Sequence, residues 1–382
     1  GSAFDPDAQI APYSDFLVAR YAGLISDRNA AAGFYRRAFR HSPQNEDLLE
    51  RAVYYALMTG DFDGAESLAG KASDGQLQDA PLAELVKLVS DFNRLEFESI
   101  QQRMNLPMRS PLYADIALSL AAWSDVALGD AVAGAKRHAE HASGRGIDAF
   151  TQGILLTAGG HDMEAMERFK QGWLEGYRWP IGVDMYARLM AVHGRPDFAK
   201  RLIAEFNRDI GDNPLLDALS VELETTGTAT ARRLKAGQGA SAAILALAVQ
   251  NLSNDGSQEL SAVYLRLAMM LDPEQHAGRL SLADIFSRQR RYEDALFQLG
   301  LVSEASPYYG AAKARQAWIF KELDQDVKAT ETAVLALKFN PSRSIQANLG
   351  DLFRELSHND KAERVYDAIL SQDLQAGRVD WR

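Results

Sequence analysis

The most constraining feature of this sequence is a pattern of small, aromatic and proline residues that repeats through its C-terminal third. Three alanines follow short polar turns, and they are separated by 34 and then 33 residues. Each is preceded by a small residue twelve positions earlier and by phenylalanine nine positions earlier. The repeat positions are Ala283, Phe286 and Ala295, then Ala317, Phe320 and Ala329, then Gly350, Phe353 and Ala362. Proline follows twelve residues after the first two alanines, at Pro307 and Pro341. A period of this length indicates repeated supersecondary units.

Each repeat position has a physical role in a pair of helices. The small residues let two antiparallel helices approach closely where they cross, and the phenylalanine fills the space beside the crossing. Proline ends the second helix because it has no N–H to donate and its ring clashes with the preceding turn. Ala and Leu dominate the composition, whereas runs of Val, Ile and Thr are scarce, which favours helix over sheet. The sequence therefore predicts an all-α fold.

The pattern resembles the tetratricopeptide repeat, a helix–turn–helix unit of about 34 residues. The best single matches are Leu349, Gly350, Phe353, Ala362 and Tyr366, and Ala283 with Phe286, Tyr292, Ala295 and Pro307. The resemblance covers most of the chain with decreasing fidelity toward the N-terminus. It implies a right-handed superhelical solenoid of antiparallel helix pairs.

The regularity of the repeat predicts three regions. Residues 3–224 are expected to form degenerate N-terminal repeats, and residues 276–382 regular C-terminal repeats. Between them, residues 225–275 are expected to form a hinge and an irregular helical pair, since Lys235–Ala240 is rich in glycine and typical of a loop. Trp381 falls where another first helix should begin, so we expect the natural protein to continue. Gly1 and Ser2 are typical of residues left by cloning, which leaves room for a signal peptide or lipid anchor.

Composition excludes several classes of function. The net charge of −11 argues against nucleic acid as the main ligand, since phosphate binding needs clustered cations. The short basic stretch at Arg232, Arg233 and Lys235 is interpreted as a solvated face. There is no cysteine, and no stretch approaches the roughly 18 apolar residues of a membrane helix.

Enzyme signatures are weak. His138 and His141 are spaced so that one helix face could present both to a metal, but a solvated face is the simpler interpretation. Gly237–Ser241 superficially resembles a phosphate-binding loop, but it lacks the preceding strand that such loops need. We therefore predict no catalytic, cofactor or metal site, and no enzyme activity.

In repeats of this type the first helices line the concave side, which makes their inner positions candidate partner-binding sites. The aromatic residues at those positions are Phe16, Tyr54, Trp123, Phe150 and Trp318. They could dock a peptide, or they could pack against one another inside the superhelix. The same register places Glu50, Asp184, Arg188, Asp284 and Asp351 on the inner side. Acidic inner residues would repel a terminal carboxylate, so a chaperone-type carboxylate clamp is not expected.

These patterns predict a non-catalytic protein–protein interaction scaffold with a protein or peptide partner. The stretches Leu349–Leu352 and Val379–Trp381 resemble long repeat proteins of the alphaproteobacterial cell envelope, which implies a role in envelope assembly or integrity and a periplasmic or envelope-associated location. A cytoplasmic location is the alternative. Alternative functions are a periplasmic arm of a larger export or secretion machine, and a glycan- or peptidoglycan-binding module.

Overall fold

The computed structural model describes residues 27–104, 111–142 and 147–377. Every regular element within these residues is a helix, and consecutive helices pack as pairs, so the all-α prediction is confirmed. In chain order the helices are α1 (Arg28–His41), α2 (Glu46–Met58), α3 (Phe62–Lys71), α4 (Asp74–Gln78), α5 (Pro81–Asn93), α6 (Phe97–Arg103), α7 (Pro111–Ala127), α8 (Ala131–His141), α9 (Ile147–Ala158), α10 (Asp162–Leu174), α11 (Pro180–Val192), α12 (Pro196–Asp209), α13 (Pro214–Thr226), α14 (Ala236–Ser253), α15 (Gln258–Leu271), α16 (His276–Arg288), α17 (Tyr292–Gly300), α18 (Tyr309–Glu322), α19 (Asp326–Phe339), α20 (Arg343–Glu355) and α21 (Asn359–Gln375). None of them is long and apolar enough to cross a membrane.

The helices belong to two compact units. The first unit holds the described residues up to Asp148, together with Leu155–Gly160 and Leu234–Gln275. The second unit holds Ala149–Ile154, His161–Arg233 and the described residues from His276 onward. The three ranges predicted from sequence concern the regularity of the repeat rather than compactness, and they stay a prediction.

Short polar side chains set the start of many helices. Asn45, Asp61 and Asp130 each accept a hydrogen bond from the backbone N–H three residues later, as N-cap residues do. Pro81, Pro196 and other prolines occupy the first helical position, where no N–H is needed. The local sequence therefore explains why the pairs are punctuated where they are.

The repeat positions lie in the interior of the second unit. All of them are buried except Phe320, which is half-buried with the ammonium of Lys328 5.6 Å from its ring centroid. Gly350 lies so close to Tyr366 that an added Cβ would come within 2.9 Å of the ring. A larger residue at 350 would push α20 away from α21, which is the role that the spacing predicted for a small side chain.

One predicted loop is helical instead. Ala236–Ala240 forms the first turns of α14, and the irregular stretch is limited to residues 228–235 after Gly227, whose φ of 73° ends α13. A Cβ at Gly239 would overlap the indole ring of Trp123, and one at Gly237 would lie 3.0 Å from the carbonyl oxygen of Leu271. The prediction was wrong because these glycines serve close helix packing, whereas glycine in sequence usually signals a loop.

The pair α14–α15 packs within the first unit against α2, α5 and α7. These are the first helices of three pairs. The Asn93 side-chain amide donates to the carbonyl of Met270 at 2.9 Å, and the buried guanidinium of Arg266 donates to the carbonyl of Met58 at 2.9 Å. A segment nearly 200 residues downstream in sequence thus covers the helices that the repeat pattern assigned to the inner side.

Candidate partner-binding groove

The predicted inner positions of the first unit are used by the chain itself. Trp123 is 1% exposed and lies against Gly239 of α14. Tyr54 is half-buried, with its ring edge-on to Tyr55 at a centroid distance of 5.1 Å. Neither side chain contacts another candidate of the aromatic row in these contacts, so the choice between the two alternatives stays a prediction. Phe16 lies outside the described residues.

Glu50 acts as a cap for a neighbouring helix. Its carboxylate accepts hydrogen bonds from the backbone N–H groups of Leu82 at 2.6 Å and Ala83 at 3.1 Å, in the first turn of α5. The N-cap residue of α5 is Ala80, whose methyl side chain cannot accept these hydrogen bonds. Burial raises the pKa of Glu50 above its usual value, and the two N–H donors oppose that rise.

Phe150 is a core residue of the second unit. It is fully buried, its ring centroid is 5.8 Å from that of Phe169, and an added Cβ at Gly172 would lie 2.7 Å from it. Phe150, like Trp123, is therefore closed to a partner in this structure. The repeat register made both residues candidates for an inner surface, but it did not show which residues cover them.

A buried ion cluster occupies two more inner positions of the second unit. The fully buried carboxylate of Asp184 accepts from Nε of Arg188 at 3.0 Å and from Nε of Arg232 at 2.6 Å. Arg188 also donates to Glu222 at 2.7 Å. The interpretation of the basic stretch as a solvated face is wrong for Arg232, since its guanidinium binds a carboxylate that is withdrawn from water.

The next residue of that stretch forms a second clamp. Arg233 donates to both carboxylate oxygens of Asp162, at 2.8 and 3.1 Å, and these hydrogen bonds lower the pKa of Asp162. Together the two arginines bind residues 228–233 to α10 and α11. This segment, which we call the strap, uses Arg232 and Arg233 for contacts within the second unit rather than for an anionic ligand.

A cavity of about 740 Å³ remains on the inner side of the second unit. Two of its lining residues, Asp284 and Trp318, are positions that the repeat register placed on the inner surface. They lie on α16 and α18, and the start of α20 continues the same wall. The start of α13 and the residues before it also line the cavity. We call this cavity the groove.

Two hydrogen bonds hold α13 in place beside α20. The carboxylate of Asp212 accepts from the backbone N–H of Ser344 at 2.8 Å. That of Asp217 accepts from the side-chain amide of Asn340 at 3.1 Å. Both donors are neutral. Among the described residues, no cation donates a hydrogen bond to either of these two carboxylates, which both line the groove.

The charges around the groove are unequal. Four lining residues are acidic, namely Asp212, Asp217, Asp284 and Glu322, and two are basic, namely Arg288 and Arg315. Arg315 donates to both oxygens of Asp284, at 2.8 and 3.1 Å, so these two neutralise each other. Burial raises the pKa of Asp217 to about 6, and the nearby negative charge of Asp212 adds to the rise.

Trp318 contributes an aromatic ring to the lining of the groove. Its indole N–H donates to the side-chain oxygen of Asn348 at 2.8 Å, which fixes the ring orientation. The ring is partly exposed, and the ammonium of Lys321 lies 5.9 Å from its centroid. Trp318 is thus a candidate aromatic residue that lines an open cavity.

The described residues contain no group of three or more His, Cys, Asp or Glu side chains placed to hold a metal ion. His138 is not on a solvated face as predicted: it is 6% exposed, and desolvation lowers its pKa to about 4. His141 instead contacts the carbonyl oxygen of Arg137 at 2.9 Å. The helix turns one imidazole inward because Ala135 and Gly134 on the same helix pack there.

No protein-family model matches this sequence, and no curated protein is detectably similar to it. Solved structures do show a likeness. Yeast Tom70 is 13% identical over 96% of this chain and 87% of its own, with a TM-score of 0.29. The structure of Naa15/Naa10 bound to HypK-THB is 14% identical over 91% of this chain and 56% of its own, with a TM-score of 0.36. The APC/C hetero-tetramer Cut9–Hcn1 is 12% identical over 95% and 81%, with a TM-score of 0.32. Each likeness is low in both measures and concerns fold alone.

Proposed function

We propose that this chain is a non-catalytic scaffold that binds a segment of a partner protein in the groove of the second unit. The observation that carries the proposal is the cavity of about 740 Å³ beside Trp318, at the inner positions of successive helix pairs. A volume of this size accommodates a few side chains, and a fixed tryptophan at its wall is a typical anchor for them.

Two features favour an extended peptide over a compact ligand. The wall of the groove runs along α16, α18 and α20, the first helices of three successive pairs, and extended inner surfaces of this kind suit chain segments. The polar groups are also distributed along the wall rather than converging on one point, from Asp284 to Asn348.

The test is a selection of peptides from a random displayed library on the immobilised chain, followed by affinity measurements with the enriched peptides. Trp318→Ala should weaken binding by about tenfold or more, as truncation of an anchoring aromatic does. Trp173→Ala is the matched control, because Trp173 lies in the same unit, stacks on Arg178 and does not line the groove. Circular dichroism should show equal helical content for both variants.

Two results would contradict the proposal: a library that yields no binder, or binders that are equally affected by the two tryptophan variants. A further variant, Tyr54→Ala in the first unit, tests whether the partner binds that unit instead. If Tyr54→Ala weakens binding and Trp318→Ala does not, the partner binds the first unit.

We further propose that the scaffold acts in the assembly or integrity of a bacterial cell envelope and is periplasmic or envelope-associated. Support for this comes from the sequence resemblance alone. Fractionation of cells that express the full-length natural protein, with antibody detection, should place it in the periplasmic or membrane fraction. Recovery with cytoplasmic markers would argue for the cytoplasmic alternative.

A further inference from the structure

We infer that the groove selects a cationic segment, in which lysine or arginine side chains are flanked by apolar residues. This inference rests on the proposed function, and it adds the chemistry of the partner.

The negative charge of the groove is concentrated at two carboxylates with which no cation of the described residues forms an ion pair. Asp212 and Asp217 accept hydrogen bonds from a backbone N–H and a side-chain amide, both neutral. The guanidinium of Arg343 is attracted electrostatically by Asp212. It donates its hydrogen bonds to Asp373 instead, at 2.9 and 3.0 Å. A cation brought by a ligand would therefore meet carboxylates that have no competing ion-pair partner.

The remaining charged groups do not cancel this excess. Asp284 and Arg315 form a bidentate pair, in which Arg315 is already fixed. Glu322 shares the ammonium of Lys321 with Glu355, at 3.3 and 2.7 Å. Arg288 is the one lining cation for which the structure shows no ion pair within the described residues. The groove would thus attract a positively charged segment and repel an acidic one.

The apolar lining matches the other half of such a side chain. Trp318, Ile319 and Ile345 lie in the same cavity as the carboxylates. Lysine and arginine have long apolar stems with a charged end, so a stem can lie on the indole while its head reaches Asp212 or Asp217. The face of an indole also attracts cations directly. Apolar neighbours in the peptide would cover the isoleucines.

Asp217 gives independent support from energetics. Its half-buried carboxylate lies near the like charge of Asp212, and burial together with that charge raises its pKa to about 6. Attraction to a bound cation would offset the desolvation of this carboxylate and its repulsion from Asp212. The described residues place no cation in an ion pair with it.

The experiment uses two capped, fluorescein-labelled nine-residue peptides, one of alternating lysine and leucine and one of alternating glutamate and leucine. Binding to the full chain is measured by fluorescence anisotropy at pH 7.5 and roughly physiological ionic strength. The test variant is the double substitution Asp212→Asn and Asp217→Asn, which keeps both hydrogen-bond acceptors. The control is Glu331→Gln with Glu363→Gln, which removes the same charge from exposed positions of the same unit.

We expect the lysine peptide to bind the wild-type chain and to lose about tenfold or more in affinity to the aspartate variant, with the control variant within about twofold. Equal losses in both variants would show nonspecific attraction to an acidic protein and would overturn the inference. Equal binding of both peptides, or none by the lysine peptide, would overturn it too. In those cases the displayed library and Trp318→Ala still decide separately whether the groove binds a peptide.

A second measurement guards against misfolding of the aspartate variant. Thermal denaturation should show that it is at least as stable as the wild-type chain, and the affinity of the wild type for the lysine peptide should fall more steeply with added salt than that of the variant. A salt dependence that is the same in both proteins would contradict the role of these two carboxylates.

Discussion

Replacing Asp217 by asparagine should stabilise the second unit at neutral pH and have little effect in acid. The folded chain raises the pKa of this carboxyl from 3.8 to about 6, mainly through burial. A raised pKa means that the folded state holds the proton more tightly than the unfolded state. The protonated carboxyl therefore favours folding fully below about pH 4, and this contribution is lost as the pH rises through 6.

The size of the effect follows from the shift. A pKa rise from 3.8 to about 6 corresponds to roughly 3 kcal/mol, since each pKa unit corresponds to about 1.36 kcal/mol. This free energy is an upper limit because the carboxyl is only partly buried. Asparagine keeps an acceptor for the amide of Asn340 and removes the repulsion from Asp212. We therefore expect the substitution to raise the free energy of unfolding by about 1–3 kcal/mol at pH 8 and by under about 0.5 kcal/mol at pH 4.

The assay is urea denaturation of the full chain at pH values from 4 to 8, with hydrogen exchange of the amides in α13 to localise the change. Asp367→Asn, an exposed carboxylate on α21, is the control and should stay within about 0.5 kcal/mol of the wild type throughout. A gain that is equal at pH 4 and pH 8 would show that ionisation is not its cause. A loss at pH 8 would show that the charge of Asp217 is compensated, and it would also remove support for a cation-selective groove.

Three further substitutions test the internal contacts. Gly239→Ala should destabilise the first unit by about 1–3 kcal/mol in thermal or urea denaturation, because its Cβ would overlap the rigid ring of Trp123; an unchanged midpoint would refute the close contact. Arg232→Ala should cost about 3–5 kcal/mol because it leaves a buried carboxylate short of a partner. The neighbouring Arg233→Ala should cost under about 1 kcal/mol, since that side chain is 40% exposed, and equal effects would contradict this. Glu50→Ala should cost about 1 kcal/mol and speed hydrogen exchange at the start of α5, whereas unchanged exchange there would argue against capping.

Much of the local fold could be predicted because its causes are local. The spacing of Ala295, Ala329 and Ala362 reports where two adjacent helices cross, and such pairs are formed by residues close in sequence. The same register predicted inner positions for Asp284 and Trp318, and both residues line the groove. Period and side-chain size are sufficient for such statements because neighbouring helices in a repeat meet in a fixed geometry.

The return of α14 and α15 to the first unit could not be predicted in this way. Two glycines near the start of a helix lower its intrinsic propensity, so Gly237 and Gly239 indicated a loop. The reason for Gly239 is Trp123, more than a hundred residues earlier in the chain, and Gly237 lies against the carbonyl oxygen of Leu271 on the next helix. No short-range pattern reports a contact over that distance. The wall that Asp212 and Asp217 add to the groove escaped prediction for the same reason.

The inner surface of a repeat is thus defined by register, but its availability is decided by what the rest of the chain places against each inner residue. Asp184 lies at a predicted inner position and is saturated by two arginines, one of them from the strap. Asp284 lies at another predicted inner position, where it lines the groove and is neutralised by Arg315. Asp217 comes from outside the register, and among the described residues its carboxylate accepts a hydrogen bond from a neutral amide. A carboxylate without a counter-ion is the group from which a ligand gains most, so the groove's chemistry depends on the residue that repeat patterns alone would never have selected.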